Sequence, residues 1–412
     1  MNKPFGKRCE VLFKMKLSIK GQRKAVAVLL GVALLLATLP VGALGAQEED
    51  SLPAAALVNT SIPCRSAILI EPESCKILFE KDADTLMPPA SITKIMTMLL
   101  VMEAIDSGKI SLEDTVTCSP HASSMGGTQI WFEPGEQMTV HELLKATAIA
   151  SANDASVALG EHVAGSEEGF VNLMNTRAEA LGMTNTTFKN ATGLDADGHM
   201  TTARDIAAMS AELLRHPKIT EYTTIWMDSL RNGETQLVNT NKLIRFFKGA
   251  TGLKTGTTDG AGSCLSASAT RDGLSLIAVV LGSDTSDQRF GAARGLLEYG
   301  FANYEAKPVP APEPALMPVK VKGGVRQQAE IKSCAPKQML LEKGRGTALT
   351  QQQNMVEALE APVKAGTHAG TVRVMLDGVI ICEYDVVTAE AVEKMNFKSA
   401  LELIWAELIR MR

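Results

Sequence analysis

Ser91-Ile-Thr-Lys94 sets a hydroxyl and an amine three residues apart. On a helix that spacing puts both side chains on one face, with Cβ atoms about 5–6 Å apart. A serine is inert until a base within hydrogen-bond reach takes its proton, so this pair can make a nucleophile. A helix N-terminus beneath Ser91 would favour the negative charge that develops there. The same four letters also read as a helix cap followed by an exposed lysine. Ser151-Ala-Asn153 offers a second hydroxyl, able to relay protons, and an amide able to hold a substrate amide. Both can meet on one side of a site if the backbone between them is not helical. Lys254-Thr255-Gly256, followed by Thr257, supplies a cation and a hydroxyl for a carboxylate, and Gly256 leaves a strand face open to a peptide-like ligand. It reads equally as a strand start with an exposed lysine. No one of the three is diagnostic. Their order and spacing are more telling: S-x-x-K, S-x-N about 60 residues on, and K-T-G about 100 after that.

This ordered set resembles that of the penicillin-recognising serine enzymes. Around it, Pro89-Ala-Ser-Ile-Thr-Lys-Ile-Met-Thr97, Phe132-Glu-Pro-Gly135, Ser151-Ala-Asn-Asp-Ala155, Asn190-Ala-Thr-Gly-Leu194, His199-Met-Thr-Thr-Ala-Arg-Asp205 and Gly252-Leu-Lys-Thr-Gly-Thr-Thr258 resemble the D-alanyl-D-alanine carboxypeptidases. These are low-molecular-mass penicillin-binding proteins, and the likeness covers roughly residues 60–304. It implies that Ser91 attacks the penultimate D-Ala carbonyl of a peptidoglycan stem pentapeptide, that terminal D-Ala leaves, and that water hydrolyses the acyl-enzyme. Lys94 would be the base, neutral through burial or through the charge of Lys254. Ser151 would pass the proton to the leaving amine, Asn153 would bind the acyl side, and the N–H groups of Ser91 and Thr257 would form the oxyanion hole. Lys254 and Thr255 would receive the terminal carboxylate, helped by Arg289, which matches a family arginine. Some members carry histidine where Thr257 stands, a change that leaves the backbone donor intact. The likeness further implies β-lactams as covalent inhibitors, and neither cofactor nor metal.

Two rival functions share these letters. A serine β-lactamase needs a deacylating base, usually glutamate in E-x-x-L-N. Glu168-Gly-Phe-Val-Asn172 comes close, but it lies only 17 residues after Ser151 and reads as a helix start. A catalytically silent wall-binding protein could also retain the fold.

The elements that must carry these residues are legible in outline. Ala67–Ile70 and Lys76–Glu80 predict a hairpin, Ser91–Asp106 a helix, 140–215 a mostly helical stretch, and Ser263–Ala269 with Leu274–Leu281 a second hairpin about Arg271-Asp-Gly273. Gln288–Tyr299 predicts a closing helix. Strands at both ends with helices between them imply an antiparallel sheet with a helical cluster, an α+β or mixed α/β class. The resemblance makes this the penicillin-binding/β-lactamase-like transpeptidase fold over 47–304. The proline-rich 305–317 predicts an extended linker, and 318–391 a small all-β domain like the family's usual C-terminal one. In 392–412, Phe397, Leu401, Ile404, Trp405 and Leu408 recur at helical spacing, flanked by Lys394, Lys398, Arg410 and Arg412. That is an amphipathic helix able to lie on a membrane surface, or to pack on the β domain or in an oligomer.

The 412 residues carry a net charge of −5. Eight of the 41 bases and one of the 46 acids fall in 1–46, so the rest holds 33 against 45, a net −12. An acidic body argues against nucleic-acid binding. The basic start, the apolar run Ala25–Leu39 and the small residues to Ala46 predict a signal peptide over 1–46, with Met15 an alternative start and an uncleaved anchor the rival reading. The body would then be extracytoplasmic, peripheral on the outer face of the cytoplasmic membrane. Seven cysteines without a C-x-x-C pair, and six scattered histidines, show no metal-ligand spacing. The cysteines predict mostly unpaired, buried thiols.

Overall fold

The computed structural model describes residues 62–345 and 348–410. The expected signal peptide and the lead-in up to residue 61 lie outside them. The chain divides after Asn303 into two units.

The first unit is built on a five-stranded antiparallel sheet in the order β2-β1-β9-β8-β7. Its strands are β1 (Ser66–Glu71), β2 (Lys76–Lys81), β7 (Ala250–Thr258), β8 (Gly262–Arg271) and β9 (Leu274–Ser283). Every residue of β1 is buried, because helices cover both faces. Ile68 and Ile70 join Ile277, Val279 and Leu281 in the helical core, while Leu69 and Leu276 turn the other way toward Gly300. The alternation of an open sheet is therefore replaced by unbroken apolar runs, each fully buried Leu or Ile contributing roughly 1.5–3 kcal/mol. Asp272 (φ 49°) and Gly273 (φ 81°) make the β8–β9 turn, consecutive left-handed residues as a tight hairpin requires. Two further two-stranded antiparallel sheets pair β3 (Thr115–Thr117) with β4 (Gln137–Thr139), and β5 (Met227–Leu230) with β6 (Thr235–Val238).

Helix α1 (Lys94–Asp106) is buried at all but three of its 13 positions. It is surrounded by α3 (Asn153–Ala164), α4 (Glu167–Ala180) and α5 (Ala203–Leu213), while α2 (Val140–Lys145) packs on α3 and α6 (Ser286–Asn303) lies on the sheet. A helix so enclosed can be apolar all round.

Three local expectations change. The helix expected from Ser91 begins as a 3-10 turn over Ala90–Thr93, entered through a left-handed Ala90 (φ 49°), and becomes α-helical only at Lys94. The stretch 140–215 is broken by a π-helical turn over Ala146–Ala150 and by irregular backbone across 181–202. The closing helix runs longer, to Asn303.

The second unit is all-β with a terminal helix. Its strands are β10 (Tyr304–Pro308), β11 (Val319–Lys322), β12 (Gln328–Ala329), β13 (Ile331–Ser333), β14 (Gln338–Glu342), β15 (Leu349–Met355), β16 (Ala358–Glu360), β17 (His368–Leu376) and β18 (Val379–Thr388). They form sheets ordered β10-β14, β12-β11-β16 and β13-β18-β17-β15. Val372, Val374, Tyr384 and Val386 fill one small core. The extended linker expected from residue 305 is shorter: Tyr304–Pro308 pairs with β14, its proline at the strand end where a missing N–H costs no central ladder bond. Helix α7 (Phe397–Arg410) leaves Phe397 86%, Ile404 59% and Trp405 68% exposed.

Candidate active site

Ser91 stands half-buried on the 3-10 turn. Three residues per turn make positions i and i+3 eclipse, so Lys94 lies directly beneath it. Lys94 is wholly buried. Its Nζ reaches Asn153 Oδ1 at 2.6 Å, the Thr192 carbonyl at 2.7 Å and Ser91 Oγ at 3.2 Å. Burial first, and then the positive charge of Lys254, hold this amine well below its ordinary 10.5, against a smaller opposing pull from Asp154. In its neutral form the amine would keep two N–H bonds for the Asn153 and Thr192 acceptors and have a lone pair for the serine hydroxyl. That is the protonation state of a base.

The S-x-N segment owes its shape to the π turn. Ser151 ends that turn in the left-handed region (φ 66°) and Ala152 is extended (ψ 124°), so Asn153 starts α3 facing Lys94. The backbone between Ser151 and Asn153 is thus not helical. Ser151 is buried; the amine of Lys94 is bonded to Ser91, Asn153 and Thr192 rather than to it. Asn153 also donates from Nδ2 to the Gly126 carbonyl at 2.6 Å and from its backbone to the Thr128 carbonyl at 2.7 Å.

Strand β7 forms the opposite wall. A Cβ at Gly256 would stand 3.0 Å from both Ala90 Cβ and Ser91 N, so the strand comes this close to the serine only without a side chain. Lys254 is buried, donates to the Thr255 carbonyl at 3.0 Å, and is brought down to about 7 by burial and by the Arg289 guanidinium. Thr255 Oγ1 donates to Thr240 Oγ1 at 2.7 Å. Arg289 spends its Nη1 on the Gly256 carbonyl (3.0 Å), Thr257 Oγ1 (2.8 Å) and the Cys264 carbonyl (3.3 Å). It buttresses the strand from behind.

Several residues without an assigned role in the sequence complete the site. Asn190 Oδ1 accepts from the backbones of Thr192 and Gly193, at 3.1 and 2.7 Å, and so fixes the carbonyl that Lys94 needs. A Cβ on Gly193 (φ 88°) would fall 1.8 Å from the Ala90 carbonyl. His199 Nε2 meets Thr93 Oγ1 at 3.1 Å, and burial lowers its imidazole to about 4. Asp154, fully buried, accepts from the N–H groups of Ile130 and Phe132 at 3.0 Å each. The signal for these was the run of matched segments, which named the positions without saying what they touch.

The E-x-x-L-N look-alike sits in α4, where Ser166 caps the helix and Glu167 Oε1 accepts from the Ala191 backbone. Cys264 is a buried free thiol with a raised pKa, its first cause burial.

Residues 53–285 match the family model for D-alanyl-D-alanine carboxypeptidase, and residues 304–394 that for the C-terminal domain of penicillin-binding protein 5. The carboxypeptidase DacF of Bacillus subtilis is 43% identical over 342 residues, 82% of this chain and 88% of the relative. DacC of Escherichia coli is 36% identical, covering 82% and 86%. Penicillin-binding protein 5 of Haemophilus influenzae superposes with a TM-score of 0.71 at 28% identity over 81% of this chain and 98% of that one. Penicillin-binding protein D2 of Listeria monocytogenes, solved in its ampicillin-bound form, matches with a TM-score of 0.54 at 34% identity, over 59% and 99%.

Proposed function

Because the chain belongs to the D-alanyl-D-alanine carboxypeptidase family of serine peptidases, we propose that Ser91 is its nucleophile and Lys94 the base that activates it. The observation that carries this is the 3.2 Å separation of Ser91 Oγ and a buried lysine amine held far below its solution pKa. The Ser91 proton passes to Lys94 as Oγ bonds to the carbonyl carbon of the penultimate D-Ala. The oxyanion rests on the N–H groups of Ser91 and Thr257, donors fixed before the reaction. The C–N bond then breaks, and the departing D-Ala amine takes a proton relayed through Ser151. Water, deprotonated by the same lysine, releases the shortened stem peptide and restores Ser91. Asn153 holds the acyl-side amide. Lys254, Thr255 and Gly256 receive the terminal carboxylate, with Arg289 bracing that strand.

A β-lactam would meet the same nucleophile, a reading supported by the ampicillin-bound relative. The domain limits proposed are 1–46 for a signal peptide, 47–303 for the catalytic domain, 309–317 for the linker left once Tyr304–Pro308 pairs with β14, 318–391 for the rest of the β domain and 392–412 for a membrane-associating helix. The last rests on the exposed row Phe397, Leu401, Ile404, Trp405 and Ile409. Among the described residues no helix is long and apolar enough to cross a membrane, so association would be interfacial, on the outer face.

The test is incubation with a stem pentapeptide, with and without penicillin, followed by mass analysis of products and enzyme. One D-Ala should be released, and penicillin should leave a covalent adduct on Ser91. An S91A variant that still takes a fluorescent penicillin would overturn the nucleophile.

A further inference from the structure

The tip of the loop that crosses the S-x-N segment carries Trp131 in the left-handed region (φ 57°), 75% exposed, between Ile130 and Phe132, which are 2% and 1% exposed. A bulky residue in this conformation costs roughly 1–2 kcal/mol, and an exposed indole returns almost none of that through packing. The loop is nevertheless clamped from two sides. From below, the buried carboxylate of Asp154 takes the N–H groups of both neighbours, Ile130 and Phe132. From the side, Arg231 donates to the Ile130 carbonyl at 2.9 Å and to the Trp131 carbonyl at 3.1 Å. Arg231 is itself left-handed (φ 51°), at the β5–β6 turn, and is locked to Glu136 at 2.7 Å. Two strained positions thus hold one aromatic ring out in solvent. Strain over-determined in this way marks positions where conformation serves function.

The ring's place in the chain bounds how far from Asn153 it can stand. Thr128 accepts the backbone N–H of Asn153, and three residues further on an extended chain has advanced at most about 11 Å. An extended substrate covers that limit in about three residues, so the side chain next upstream of the penultimate D-Ala falls inside it, whereas the glycan sugar, joined to the stem four residues upstream of the attacked carbonyl, falls beyond it. We propose that Trp131 is a fixed aromatic platform for the acyl side of the stem peptide, taking the methylene chain of the side chain next upstream of the penultimate D-Ala. This rests on the site reading above, in which Asn153 holds the acyl-side amide. It makes Trp131 a specificity residue, outside the proton-transfer machinery. The flat indole face suits a linear alkyl chain, removes it from water without a specific polar partner, and has no rotatable loop to reorder because the clamp is already set.

The experiment compares Nα-acetyl-Lys-D-Ala-D-Ala with Nα-acetyl-Gly-D-Ala-D-Ala on wild type, W131A and W131F. Loss of the ring should lower kcat/KM on the lysyl substrate about tenfold, mainly through KM, and leave the glycyl substrate within about twofold. W131F should keep most of the preference. Equal losses on both substrates would mean that the loop merely supports Asn153, and would overturn the platform. So would no loss on either, or a loss seen only with a disaccharide-pentapeptide, which would move the contact to the sugar. Wild type cleaving neither peptide would overturn the site reading itself, and the platform with it.

Discussion

Lys94 and Lys254 are both buried, and both are pushed toward neutrality, yet the proposed mechanism asks opposite things of them. Lys94 must lose its charge to take the Ser91 proton; Lys254 must keep its charge to meet a carboxylate. Burial is the first cause for each, and the second is a neighbouring cation: Lys254 for Lys94, and Arg289 for Lys254. In K254M the lysine charge no longer opposes protonation of Lys94, so the acid limb of kcat/KM should move to higher pH, read from a pH-rate profile. The same variant tests linkage. Lys254 binds its proton only below about 7 in the fold but up to its ordinary 10.5 when unfolded. The unfolded chain therefore holds the extra proton between those values, and stability should rise with pH across that window; K254M should flatten the rise in thermal midpoint. His199, lowered to about 4 from 6.5, has the same sign in an acid window. Stability should fall as pH drops through 6.5 toward 4, and H199Q, neutral throughout, should lessen that fall in a thermal-shift series.

At the scale of elements, the site is three backbone segments brought within hydrogen-bond distance by missing side chains. The 3-10 turn bearing Ser91 is approached by Gly193 on one side and Gly256 on the other. A methyl at Gly193 would collide with a carbonyl, which cannot yield without moving the Ala90–Ser91 turn. G193A should slow penicillin acylation at least about a hundredfold, the scale expected from a displacement near 1 Å, measured by stopped-flow labelling. Gly291, in the middle of α6 with open space where its Cβ would be, is the control. G291A should leave acylation unchanged and raise stability by about 0.5–1 kcal/mol. The π turn before Ser151 belongs to this scale too. Its extra residue per turn releases Ser151 into the left-handed region and lets Asn153 face the lysine.

For the molecule as a whole, the charge distribution sets how it meets a membrane. Residues 47–412 together carry a net −12 and are repelled by anionic lipid, so any attachment must come from burying the apolar row of α7. Deleting 392–412 should release the protein from vesicles while leaving pentapeptide hydrolysis intact, assayed by flotation and D-Ala release; persistent binding would sink the anchor. The family, the fold class and the reaction were readable in the chain without coordinates, because S-x-x-K, S-x-N and K-T-G stand in the order and spacing of a known family and the segments around them resemble it as well. The two hairpins of the central sheet were readable as apolar runs, since both faces are covered, whereas β7 (Ala250–Thr258) carries no such run. Other features were silent in the sequence. Strand β15, Leu349–Met355, is so rich in glutamine that no alternation marks it. The 3-10 turn under Ser91 and the Asn190 hold on Thr192 are local but leave no periodic mark, while the His199–Thr93 bond and the Arg231 grip on Ile130 join residues 106 and 101 positions apart. The sequence by itself named the candidate groups and, through the family it resembles, the reaction proposed for them. Tertiary structure decided their protonation and their distances, because burial and the approach of distant backbone exist only once the chain has folded.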